Sequence, residues 1–177
     1  MTKIYIIGHR NINTTEIGIA LQSLNDSLSL TPRFTTNEDE CNEYKYFVDK
    51  ETINIAYKNN AIITVITDDN HSCGILYDDY YNNDILCMTL AEFNMISDKV
   101  LYEFLDENNN NILVVWVDSS KNVNNLDIKE TEYIEQRLEP LNYLYFCNES
   151  VDTIANTVIK YLNSNEDDRS KIMDEYS

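Results

Sequence analysis

Apolar residues along this chain fall into two periods. Continuous runs of β-branched and aromatic residues mark strands: residues 3–7, "YKYFVD" (44–49), "AIITVIT" (61–67), "DILCMT" (84–89), "ILVVWVD" (112–118) and "YLYFCN" (143–148). The run at 112–118 is unbroken enough for a central parallel strand, buried on both faces. Other segments repeat at three and four residues. Ile17, Ala20, Leu21 and Leu24 share one helix face, with Thr14 or Thr15 as the cap and Glu16 in the first turn. A stripe of Leu90, Phe93, Val100, Leu101 and Phe104 predicts a helix over 90–105. A short helix follows "YKYFVD" and ends at Asn59-Asn60, and another over roughly 128–139 is closed by Pro140. Val151, Ile154, Val158 and Leu162 define a last helix capped by Ser150.

Strands alternating with helices predict an α/β domain with a mainly parallel sheet. The alternation lapses over about 31–81, which predicts a small inserted antiparallel lobe. Residues 1–163 are thus expected to be one domain, and 164–177, acidic and polar, a flexible tail.

Charge narrows the functions open to this fold. At a net −18 the surface repels phosphates, so direct nucleic-acid binding and anionic membranes are disfavoured. No stretch approaches the roughly 18 consecutive apolar residues of a membrane helix. The chain runs from Met1-Thr2-Lys3 straight into a strand, so no signal peptide is expected and the cytoplasm is the expected compartment, a host cytoplasm or virion if the source is viral. Cys41, Cys73, Cys87 and Cys147 are scattered and His9 and His71 are the only histidines, so no metal site is expected. "YDDYYNND", with Asp78, Asp79 and Asp84, reads as a solvated acidic loop. The excess of Asn, Ile, Asp and Tyr fits an AT-rich coding genome, such as that of many phages.

The chemistry centres on the turn after the first strand. Gly8, four residues, then Asn13-Thr14-Thr15 occupy the positions of a phosphate-binding G-x-x-x-x-G-K-[ST] loop. Only the first glycine and Thr15 fit it. His9 and Arg10 add positive charge where a helix N-terminus favours anions.

With that turn, the order of elements resembles the P-loop nucleoside monophosphate kinases, guanylate kinase most of all, over residues 3 to about 163. "LTPRFTTNEDE" is similar to the family's nucleotide-clasping Thr-Thr-Arg segment, with Arg33 as its arginine. "YKYFVDKETINIAYKNNA" resembles its Tyr-Tyr-Phe-Val strand and following helix. "EYIEQRLEP" sits like the helix after the lid, and "LNYLYFCNESVDTIANTVIKYLN" like the terminal strand and closing helix. The resemblance implies an NMP-kinase-like parallel sheet flanked by helices, with nucleotide or phosphate contacts from Gly8, His9, Arg10, Asn13, Thr14, Thr15 and Arg33.

The family's catalytic groups are largely missing. Thr14 stands where a lysine reaches the β- and γ-phosphates, and Asn13 where a glycine lets backbone amides approach. Cys87, Met88 and Thr89 replace acidic residues near magnesium and the base. The lid offers only Lys121 and Lys129, with Arg137 in the next helix, and the acceptor-side Tyr-Gly pair is Cys73-Gly74. Phosphoryl transfer depends on such cations, at roughly 10³-fold or more for a key one. The expectation is a guanylate-kinase-like pseudoenzyme with no catalytic residues and no cofactor, acting as a binding or structural module for a protein partner. Tyr77, Tyr80 and Tyr81, clustered beside aspartates, are its candidate interface. Two alternatives stay open: an active (deoxy)nucleoside monophosphate kinase using ATP and Mg²⁺ through His9, Arg10 or the lid lysines, and an acidic inhibitor mimicking nucleic acid.

Overall fold

In the computed structural model, which describes residues 2–9, 11–68, 70–105, 111–119 and 133–176, the apolar runs become a four-stranded parallel sheet flanked by helices. Its strands are β1 (Lys3–Gly8), β6 (Ile85–Thr89), β7 (Ile112–Asp118) and β8 (Asn142–Cys147), in the order β6-β1-β7-β8. Ile4 faces Ile85 on one side and Leu113 on the other; Leu113 in turn faces Asn142. Because the sheet is covered on both faces, its strands are apolar at successive positions rather than alternate ones.

One face, through Ile4, Ile6, Val115 and Phe146, packs on α1 (Thr14–Leu24), α7 (Val151–Asn163) and α8 (Glu166–Glu175). The other, through Tyr5, Ile7, Val114 and Trp116, packs on Tyr80, on residues 90–101 and on the helical residues 133–138, here α6. Ser150 caps α7 as expected, accepting from the Thr153 amide at 3.1 Å. Among the described residues, no helix is long and apolar enough to cross a membrane.

A second sheet lies within the expected insertion. It has the order β3-β2-β5-β4, from β2 (Arg33–Thr35), β3 (Lys45–Phe47), β4 (Ile62–Asp68) and β5 (His71–Leu76); α2 (Lys50–Lys58) and α3 (Tyr77–Asn82) flank its strands. β4 and β2 are antiparallel to β5, but β2 and β3 are parallel, because the chain crosses between them through a 3₁₀ turn at Glu38–Glu40 rather than a hairpin. β5 begins at His71, with two residues between it and the end of β4 at Asp68.

Two other expectations change. The stripe over 90–105 is split into α4 (Leu90–Met95) and α5 (Asp98–Leu101). Thr89 and Glu92 form a capping box at the start of α4, and Arg137 donates to the Phe93 and Ile96 carbonyls at its end. The expected flexible tail is, over Glu166–Glu175, the helix α8. Asn165 caps it, Ile172 is buried, and the Tyr176 carbonyl accepts from the Tyr145 amide on the outer edge of β8.

Tyr5 and Tyr80 meet under the sheet, hydroxyl to hydroxyl at 2.7 Å, both fully buried. Burial, then the neighbouring Tyr80, holds the Tyr5 phenol well above its usual value, and burial also raises Tyr80. The folded chain keeps both protons where free phenols ionise near pH ~10. Their contribution to stability is thus intact below pH ~10 and is lost as the pH climbs further. Tyrosinate absorbance is expected to rise in two steps on a jump into that range, exposed rings at once and this pair with unfolding. A single immediate step would contradict the buried pair.

Candidate functional site

In an open α/β sheet, ligands collect outside the carboxyl ends of the strands, where neighbouring connections leave in opposite directions. Here that point is between β1 and β7, since β1 leads to β6 on one side and β6 leads back across to β7 on the other. The residues there are Gly8 and His9 ending β1, and Val117 and Asp118 ending β7.

His9 is 8% exposed, and its Nε2 lies 3.4 Å from Asp118 Oδ1. The same carboxylate accepts from the Ser119 amide at 2.6 Å and from the Tyr145 hydroxyl at 3.2 Å. Burial first, and then the Asp118 charge, raises the Tyr145 phenol, so it acts here as a proton donor. Asp118 escaped the sequence reading, although an acid closing the most apolar run was a signal; Tyr145 stood out only as one of several clustered tyrosines, not as a partner of Asp118.

The loop itself turns inward. The Ile12 amide donates to the His9 carbonyl at 2.8 Å, and the Thr14 amide to the Ile12 carbonyl at 3.0 Å. A phosphate nest needs consecutive amides pointing outward, with a left-handed residue among them; Gly8, His9, Ile12 and Asn13 all lack a positive φ. A Cβ on Gly8 would meet the Thr14 methyl at 3.1 Å and the Ile12 side chain at 3.2 Å, so the glycine serves close packing. Asn13, not Thr14 or Thr15, holds the N-cap position of the first helix, but its side chain donates to Glu16 at 2.9 Å and makes no capping bond. Thr14 is buried and Thr15 half-buried. Carboxylates of Glu16 and Asp118 thus bond to loop residues, opposing an incoming phosphate.

Two of the arginines singled out in the sequence, Arg33 and Arg137, are engaged elsewhere. Arg33 donates to the Cys87 carbonyl at 3.0 Å and pairs with the buried Glu92 carboxylate. Burial works against its charge, but Glu92 outweighs that and raises its pKa. It bolts the lobe to α4. Arg137, 6% exposed, holds the α4 carbonyls and Asp98. Arg10, Lys121 and Lys129 lie outside the described residues. Cys87 is buried, which pushes its thiol up to about 12. Among the described residues, no group of three or more histidine, cysteine or acidic side chains is placed to hold a metal ion.

The three tyrosines do not share a face. Tyr80 is fully buried, its hydroxyl bonded to Tyr5 and to the Val100 carbonyl at 2.9 Å, so it belongs to the core. Tyr77 is half-buried and donates to Glu103 at 2.7 Å. Tyr81 is exposed and stacks on Tyr77, with ring centroids 6.2 Å apart. A six-residue helix turns one of three such neighbours inward, which spacing within "YDDYY" does not reveal.

No protein-family model and no curated protein sequence matches this chain. Among solved structures, it is similar to the guanylate kinase from Anaplasma phagocytophilum, at 14% identity and a TM-score of 0.48, over 91% of this chain and 84% of that one.

Proposed function

We propose that this chain is a guanylate-kinase-like pseudoenzyme, a scaffold that binds a protein partner and does not transfer phosphate. The observation that carries this reading is the closed loop after β1. Its Ile12 and Thr14 amides bond to its own carbonyls, and position 14 offers a buried threonine instead of a lysine. The sequence resemblance supplies the kinase ancestry, and the engagement of Arg33 by Glu92 removes a second phosphate contact. A composition suited to an AT-rich genome adds a phage or other virus as the proposed source.

A thermal-shift panel tests this with ATP, GTP, GMP and deoxynucleoside monophosphates, with and without Mg²⁺. A ligand at 100 times its Kd adds about 2.7 kcal/mol of stability. No shift is expected at millimolar ligand. A Mg²⁺-dependent shift by a triphosphate would sink the pseudoenzyme and favour the active kinase. The double variant Asn13→Gly, Thr14→Lys is expected to gain such a shift, because it restores backbone freedom and the missing cation together. If it stays flat, the loop is not a lapsed P-loop.

A further inference from the structure

Two adjoining hollows, of about 530 and 400 Å³, share Asn60, Ile62, Ile63 and Met95 and form one groove between β4 and the α4–α5 segment. Its borders leave large apolar side chains in water: Tyr57 is 70% exposed and Met95 51%. Of α2, only Ile53 is buried, and Ile55 as well as Tyr57 is exposed. β4 is the outer strand of the lobe sheet, and among the described residues no backbone hydrogen bond reaches its far side. The Thr64 hydroxyl, buried on that strand where it lines the second hollow, has no hydrogen-bond partner. Glu103 lines the first hollow with Ile62, where it accepts from the Tyr77 hydroxyl, and Asp68 is the last residue of β4; among the described residues, Lys99 is the one cation lining the two hollows.

We propose that this groove docks an extended, lysine- or arginine-bearing segment of a partner protein, which adds a strand to the free edge of β4. The proposal rests on the reading of the chain as a binding module and names the partner's chemistry. An open sheet edge supplies backbone affinity, and flanking hollows receive alternate side chains. Charge selects the occupant. Glu103 and Asp68 complement cations at the segment's two ends, and two copies of a chain at net −18 repel each other.

The test uses a labelled peptide of alternating valine and threonine with lysines at both ends, and a second with glutamates instead. The lysine peptide is expected to bind the full chain and to protect the amides of residues 62–68 from hydrogen exchange. Tyr57→Ser with Met95→Ser, both at exposed positions, is expected to weaken binding about tenfold. Asp68→Asn with Glu103→Gln is expected to weaken it about fivefold and to flatten its salt dependence. Failure of the lysine peptide at millimolar concentration, equal binding of the glutamate peptide, protection elsewhere, or unchanged affinity in the Tyr57/Met95 variant would overturn the proposal. So would self-association of the chain that protects residues 62–68, since a second copy would then fill the groove. The nucleotide panel is independent: a shift there strikes at the pseudoenzyme reading, whereas peptide failure strikes only at the groove.

Discussion

Replacing Gly74 by alanine is expected to destabilise the protein by about 3 kcal/mol or more. Gly74 is the middle of the lobe, facing Phe34 of β2 on one side and Val65 of β4 on the other. The Thr64 carbonyl of β4 lies against it, next to an irregularity in the β4–β5 register between Ile62 and Thr64. An added Cβ would lie 2.0 Å from that oxygen and 2.9 Å from the Phe34 ring. Backbone oxygen cannot swing aside as a side chain does, and the fully buried Phe34 has nowhere to go. The φ of Gly74 is not positive, so the requirement is space and not conformation. Relief would come by parting β4 from β5. Urea unfolding measures the loss; a change below about 1 kcal/mol would mean that β4 moves easily against β5.

The second large effect is expected at Lys3, where methionine should cost about 3 kcal/mol. Lys3 is fully buried at the start of β1, and its ammonium donates to the carbonyls of Tyr80, Tyr81 and Asn83, where α3 ends. The rings of Tyr80 and Phe104 lie 5.0 and 4.5 Å from it. Burial lowers its pKa to about 8 against the raising influence of Asp84 and Glu103, so the amine is charged at neutral pH. Methionine keeps the volume and removes every donor, leaving three carbonyls without their partner. A buried acceptor stripped in this way is more costly than an ordinary hydrogen bond is stabilising. Denaturant titration at pH 7 measures it, and a loss under about 1 kcal/mol would show that water takes the place of the ammonium.

How much was legible in the sequence depended on how local the determining interactions are. β1, β6, β7 and β8 could be read because burial on both faces leaves continuous apolar runs. β3 and β4 showed in "YKYFVD" and "AIITVIT", whereas β2 and β5 did not, because "RFT" or "HSCGIL" among polar residues carries little period. The break between α4 and α5 was hidden because the stripe from Leu90 to Phe104 continues through it, while the guanidinium that captures the α4 carbonyls comes from Arg137. α8 was hidden by its acidic composition, although Ile172, Met173 and Tyr176 already held the apolar side that packs on the sheet. In the candidate site, a glycine after a buried strand located the loop. Its closure was not visible, because it lies in backbone bonds between residues whose side chains say nothing about it. The partners of Arg33, Lys3 and His9 were equally hidden, since Glu92, Tyr80 and Asp118 are remote in the chain.

The position of β1 sets an order of assembly. It precedes both of its neighbours, β6 and β7, in the chain, so Ile4 waits for Ile85 and then for Leu113. The lobe strands lie between these partners and pair among themselves through short connections. On the ribosome the lobe can therefore form before the main sheet exists, while β1, apolar along nearly its whole length, remains uncovered. Long-range parallel pairing is intrinsically slow and leaves such segments open to aggregation. The closing of the sheet around β1 is therefore the expected slow step of folding.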